Sequence, residues 1–278
     1  MAKRQQPPMI QLKSDREIAK MRQAGLAVWR AHQIIREMVA PGATTAEIDR
    51  EVEAYFDKIG GTPLFKNYPH HDKGKPPFPA VTCCSLNEVV VHGVPNDQPL
   101  VEGDIISIDT GVRLKGWCGD AAWTYPVGRV DSKVQRLLDV GEATLDLAFD
   151  LMHTKSRWSQ VAAEMGRFVR EHGYSSVEDF VGHGIGRKMH EDPQVPNYMS
   201  RSLRGQGDFA IEPGLVIAVE PMVNMGRKKV KQMRDYWGQA TADGKPSVHF
   251  EHTIAVTDDG PVRLTQAPSP AEMELVAS

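Results

Sequence analysis

The stretch "FVGHGIGRKMHEDPQVPN" at residues 180–197 holds two imidazoles, His183 and His190, around a Gly-Ile-Gly-Arg turn. Elsewhere, four acids stand within or at the ends of apolar, strand-like strings: Asp109 in "IISID", Asp120 in "CGDAAW", Glu220 closing "VIAVE" and Glu251 opening "EHTIAVT". Burying several unpaired carboxylates costs more than the net stability of a domain, so acids in this setting need counter-charge. One such acid could sit at a strand end and meet water or an arginine; four point to bound divalent cations. Carboxylates that bridge, together with one imidazole, suit a pair of ions. His183 is the imidazole assigned to them, giving Asp109, Asp120, His183, Glu220 and Glu251 as the expected donors. The stretch alone leaves the role of His190 open.

The elements that must hold these residues are legible in the pattern. Ser14 and Glu17 form a capping box ahead of Ile18, Met21, Val28, Ile35 and Val39, a helical period that stops at Pro41-Gly42. Thr44 and Glu47 repeat it before Ile48, Val52, Tyr55, Phe56 and Ile59, and Gly60-Gly61 ends this second helix. After a Pro-rich loop, strands are expected around Val89–Val91, Ile105–Ile108 and Ala121–Val127. The same order then restarts, with a helix from about Asp131 and another through Val161, Met165, Phe168 and Val169 that ends at Gly173.

Local strings echo across this restart. "VVVHGV" at 89–94 resembles "DFVGHGI" at 179–185, and "EGDIISID" at 102–109 resembles "EPGLVIAVE" at 212–220. His92, Asp109 and Asp120 in one half match His183, Glu220 and Glu251 in the other. The pattern implies a duplicated α+β unit. Packed about a pseudo-twofold axis, the halves would form a curved antiparallel sheet covered by helices, with the six polar residues converging on its inner face.

Composition narrows the function classes. The 278 residues carry a formal net charge of -3, with 41% hydrophobic and 25% charged residues, an ordinary globular balance. Neither DNA nor an anionic membrane is implied by that charge. Three cysteines, two of them adjacent at Cys83 and Cys84, make no disulfide framework and suit a reducing compartment. With no apolar run of signal-peptide or membrane-spanning length, a cytoplasmic location is expected. The basic stretch "GRKKVKQMRDYWG" at 226–238 could touch ribosomal RNA near emerging chains, but a charged hairpin on a solvated face is the better reading.

Taken together, "SLNEVVVHGVP", "ISIDTG", "CGDAAWTYPVG", "GHGIGRKMHEDPQVPN", "VIAVEPMVN" and "HFEHTIAVT" resemble the type I methionine aminopeptidases, over about residues 11–265. The resemblance implies the α+β pita-bread fold. It implies a flexible N-terminal segment at 1–10, a single catalytic domain at 11–265 with halves of about 11–129 and 130–265, and a C-terminal tail at 266–278. It also implies two divalent metal ions (Co, Mn, Fe or Zn) on Asp109, Asp120, His183, Glu220 and Glu251, and removal of the N-terminal methionine from nascent polypeptides by a metal-bridged water.

In that scheme Glu220 assists proton transfer, His190 hydrogen-bonds the substrate carbonyl, and His92 approaches the scissile amide nitrogen. The methionine pocket falls on Phe78, Cys83, Met189 and Trp237, and a monovalent cation on oxygens at Asn87, Val89 and Ser247. A monomer is expected. Two departures from the family pattern bear on pocket shape: Lys75 and Met189 stand where relatives often carry aromatic residues, and "GDAAWTY" replaces a more polar stretch. An Xaa-Pro dipeptidase or aminopeptidase of the same fold, and a pita-bread protein that binds without catalysis, are the alternatives. The second would be expected to have lost donor positions, and all five are intact.

Overall fold

Each half opens on two helices whose starts are written in side chains. In α1 (Asp15–Met38) the Glu17 carboxylate accepts the Ser14 N–H at 3.0 Å, and in α2 (Thr45–Lys58) Thr44 Oγ1 accepts the Glu47 N–H at 3.2 Å. The second half repeats the pair as α3 (Ser132–Met152) and α4 (Trp158–Glu171). The computed structural model describes residues 8–272. Residues 1–7 of the expected flexible segment and 273–278 of the expected tail lie outside the described residues.

The helices bury their apolar faces against antiparallel strands. Ile35, Ile48, Val52 and Phe56 pack with Ile106, Ile108 and Val112, while Leu137, Leu145, Met165 and Val169 pack with Val219, Val223 and Ile254. Burial of such side chains stabilises by about 1.5–3 kcal/mol each. In the first half, strand Ile105–Leu114 pairs with Trp117–Pro126 on one side and Thr82–Leu86 on the other. In the second, His252–Thr257 pairs with Val216–Val219, which pairs with Gly182–Gly184. The curved surface is thus built from separate hydrogen-bonded segments, one of which joins Val89–Val91 of the first half to Gln239–Thr241 of the second.

The halves are stitched together where residues 249–253 cross residues 120–124. The Glu251 N–H donates to Ala122 O at 2.8 Å, and the His249 N–H to Thr124 Oγ1 at 2.9 Å. Thr253 Oγ1 donates to Asp120 O at 2.8 Å and accepts the Asp120 N–H at 3.1 Å. One hydroxyl therefore serves both backbone groups of an acid from the opposite half. No helix among the described residues is long and apolar enough to cross a membrane.

Thr253 is fully buried, and its replacement by valine keeps the shape while leaving two buried backbone groups unpaired. Thr253→Val is expected to lower stability by about 1–3 kcal/mol in urea unfolding. A loss below a few tenths would contradict the stitching role.

Candidate metal centre and substrate cavity

Strand register puts the acids on one face. The pairings Asp109↔Ala122 and Gly111↔Asp120 make Asp109 and Asp120 diagonal neighbours on the same side of their hairpin. In the other half the pairing Thr253↔Ala218, extended by two residues along each chain, sets Glu251 opposite Glu220. His183 pairs with the same Ala218, which brings its ring to that side too.

The glycines beside His183 permit its placement. A Cβ on Gly182 would lie 2.3 Å from Ala218 O, and one on Gly184 would lie 2.1 Å from Asp192 O, so backbone passes too close for any side chain. His183 Nδ1 then contacts Gly184 O at 2.9 Å. A carbonyl only accepts, so the proton sits on Nδ1 and the Nε2 lone pair faces Glu220 Oε1 at 3.7 Å.

These residues line one cavity of about 480 Å³ that also reaches the expected substrate residues. Asp109, Asp120, His183, Glu220 and Glu251 stand together with His92 and His190, and Phe78, Cys83, Met189 and Trp237 line the same space. The His183 and His190 rings meet edge to face with centroids 4.4 Å apart. His92 adopts a left-handed backbone (φ 60), uncommon outside glycine, and its ring meets Phe180 at 5.4 Å. Phe78 and Trp237 cross at 5.2 Å, and the Trp237 indole N–H donates to Pro76 O at 3.2 Å.

Electrostatics shows what the cluster lacks. Among the described residues, no lysine or arginine lines the cavity. Burial first, then the facing Asp120 and Glu220, push the Asp109 carboxyl well above its usual range. Burial pushes Asp120 up to about 7. Burial and then Asp120 hold Glu220 well above its usual range, and burial and then Asp120, Glu220 and Asp109 do the same for Glu251. Burial and then His190 take His183 down to about 3, and burial and then His190 take His92 down to about 4. Burial alone lowers His190.

Asp109 Oδ1, Asp120 Oδ1 and Glu251 Oε1 are buried without a hydrogen-bond partner among the described residues, and donor atoms of Asp120, His183 and Glu251 lie within 4.8 Å of one another. A set of hard oxygens plus neutral imidazole with orphaned lone pairs and no basic neighbour fits divalent metal. Cys83 faces Asp109 across the ladder, but burial and then that acid hold its thiol protonated, which removes it as a nucleophile or thiolate ligand.

The metallopeptidase family M24 profile matches residues 19–258. The chain belongs to metallopeptidase family M24. A methionine aminopeptidase of Clostridium perfringens is 43% identical over 257 residues, covering 92% of this chain and 99% of that one. Methionine aminopeptidase 1 of Bacillus subtilis is 40% identical over 252 residues, covering 91% and 97%. The crystal structure of the Thermotoga maritima methionine aminopeptidase superposes with a TM-score of 0.86 at 38% identity, covering 93% of this chain and all of that one. An Xaa-Pro dipeptidase from Bacillus anthracis, 22% identical with a TM-score of 0.70, shares the pita-bread fold.

Membership in M24 makes this a metal-dependent hydrolase, and several cavity residues of this member were not singled out by sequence reasoning. Tyr68 OH lies 2.9 Å from His190 Nδ1, leaving His190 Nε2 free for other contacts. Phe65, His70 and Tyr236 add to the wall, His70 Nε2 meeting Tyr236 O at 3.0 Å. His249, buried beside Glu220 and Glu251, sits in the quoted "HFEHTIAVT" string, yet a histidine in an apolar strand carries no signal of its own.

In metal-free protein the raised carboxyls bind protons that the unfolded chain releases, so their contribution is lost as pH rises through their folded values. The buried histidines are neutral in both states above about pH 7 and add no slope there. The Asp120 contribution is lost by about pH 7, and the unfolding free energy of stripped protein should keep falling above that pH because Asp109, Glu220 and Glu251 are held well above their usual range, while added Mn should abolish the trend. A flat profile without metal would count against a shared buried acid cluster. Space matters as well: a Cβ on Gly111 would lie 2.7 Å from Asp120 Oδ1. Gly111→Ala should weaken divalent-ion binding about 10–100-fold in calorimetric titration while circular dichroism stays native.

Proposed function

We propose that this chain removes the N-terminal methionine from newly made polypeptides, using two divalent ions held by Asp109, Asp120, His183, Glu220 and Glu251. One observation carries the reading: these donors share a cavity with the apolar wall of Phe78, Cys83, Met189 and Trp237. An unbranched thioether fills such a wall well, and Met189 lets it adapt. When bound, divalent ions supply positive charge that acidifies water and polarises a peptide carbonyl.

The chain's own groups complete the reaction. His190, its Nδ1 engaged by Tyr68, donates from Nε2 to the substrate carbonyl oxygen and holds the scissile bond in place. A carboxylate oxygen of Glu220 takes the proton of the attacking water and returns it to the departing amine. His92 stands beside the scissile nitrogen and steadies that amine as the bond breaks. The depressed basicity of His92 keeps its imidazole neutral at pH 7, so it exchanges hydrogen bonds rather than charge with the amine.

The same reading takes the chain as a cytoplasmic monomer, with the basic 226–238 hairpin facing solvent and open to ribosomal RNA. A monovalent cation at Asn87, Val89 and Ser247 belongs to the same reading. The Ser247 N–H donates to Asn87 O at 2.9 Å, which supports bringing those segments together.

Metal-stripped protein reloaded with Mn or Co should release methionine from Met-Ala-Ser and leave an Xaa-Pro peptide such as Leu-Pro-Ser intact. Glu220→Ala and His92→Ala should each lower kcat/KM by at least about 100-fold. Cleavage of Leu-Pro-Ser in preference to Met-Ala-Ser would move the assignment to the Xaa-Pro peptidases, and binding without cleavage of either would move it to a non-catalytic member.

A further inference from the structure

We propose that His249 is a sixth protein donor of this metal centre, ligating a divalent ion through Nε2 beside Glu220 and Glu251. The inference rests on the metal reading above and extends its ligand set. His249 ends strand Ser247–His249, is 2% exposed, and its Nε2 has no hydrogen-bond partner among the described residues. A buried ring nitrogen left unpartnered is costly, so a native protein that keeps one has a use for it.

The distances favour metal over a hydrogen bond. His249 Nε2 lies 3.7 Å from Glu220 Oε2 and 4.0 Å from Glu251 Oε2, beyond hydrogen-bond reach. Ligand bonds of about 2.0–2.2 Å separate two donors on one ion by roughly 3 Å when adjacent and roughly 4.2 Å when opposite, and both separations fall in that interval. His183 Nε2 stands at the same 3.7 Å from the other oxygen of Glu220. Each oxygen of Glu220 therefore faces one imidazole, and the assigned ligand His183 has a counterpart in His249.

The local sequence aims the ring. In "HFEHT", alternation puts His249 and Glu251 on the cavity side, while Phe250 turns to meet Trp123 at 4.9 Å and His252 turns to Thr265 Oγ1 at 2.8 Å. Thr124 fixes the backbone on both sides, its Oγ1 accepting the His249 N–H and donating to His249 O, each at 2.9 Å. A second imidazole also shifts the donor set toward Co, Fe or Zn and away from Mg.

The test is titration of stripped protein with Co(II), read by calorimetry and by the visible absorption of bound cobalt, for the parent chain, His249→Ala and His249→Leu. The parent should bind two ions. Both variants should bind the first with parental affinity and the second at least tenfold more weakly, with a changed cobalt spectrum. Pulsed EPR of the Mn-loaded parent chain, which needs no variant to fold, should count two coordinated imidazole nitrogens. A count of one, or variants that match the parent in affinity and spectrum, overturns the role of His249 and leaves the five-donor centre standing. A parent chain that binds no divalent ion overturns both.

Discussion

Asp109, Asp120, Glu220 and Glu251 share one buried space that no lysine or arginine among the described residues lines, and the architecture is organised around that concentration of charge. Left alone, the cluster must hold protons that carboxylates ordinarily release: burial drives all four upward, and the neighbouring carboxylates add to it at Asp109, Glu220 and Glu251. A protein retains such a liability only where cations relieve it, and the orphaned oxygens of Asp109, Asp120 and Glu251 are where relief is needed. The histidines complement them: burial keeps His183 and His249 neutral, so each presents a lone pair instead of a competing charge.

Duplication explains how a chain with a net charge of -3 gathers these acids at one point. Each half contributes an antiparallel segment that carries acids on one face, and the halves cross where Thr253 binds both backbone groups of Asp120. Part of the apolar wall comes from elsewhere: Phe78 and Trp237 belong to a rim loop and a hairpin bridged by the Trp237–Pro76 hydrogen bond, whereas Cys83 faces Asp109 across the ladder and Met189 directly precedes His190. Tyr68, from the same rim, reaches down to His190.

Much of this was readable beforehand, for physical reasons. Capping boxes at Ser14 and Thr44 are local hydrogen-bond patterns, and both helices begin where those residues place them. Acids inside "IISID" and "VIAVE" stood out because the strings around them are too apolar for free carboxylates. The strand through Asp109 runs on to Leu114, past the expected Ile108, because Gly111 and the turn at Lys115-Gly116 sustain a long hairpin that turn chemistry alone understated. Pocket residues such as Phe78 and Met189 carry no chemical mark and came from resemblance. His249 and Tyr68 escaped notice since their roles exist only once distant segments meet: a histidine between two apolar neighbours and a tyrosine in a Pro-rich loop are ordinary in one dimension.

Anomalous X-ray scattering from Mn-soaked crystals tests most directly that the acid cluster is a two-ion centre. Two peaks among Asp109, Asp120, His183, Glu220 and Glu251 are predicted. A cavity without peaks at Mn concentrations that saturate hydrolysis, or ions bound only outside it, would contradict the account.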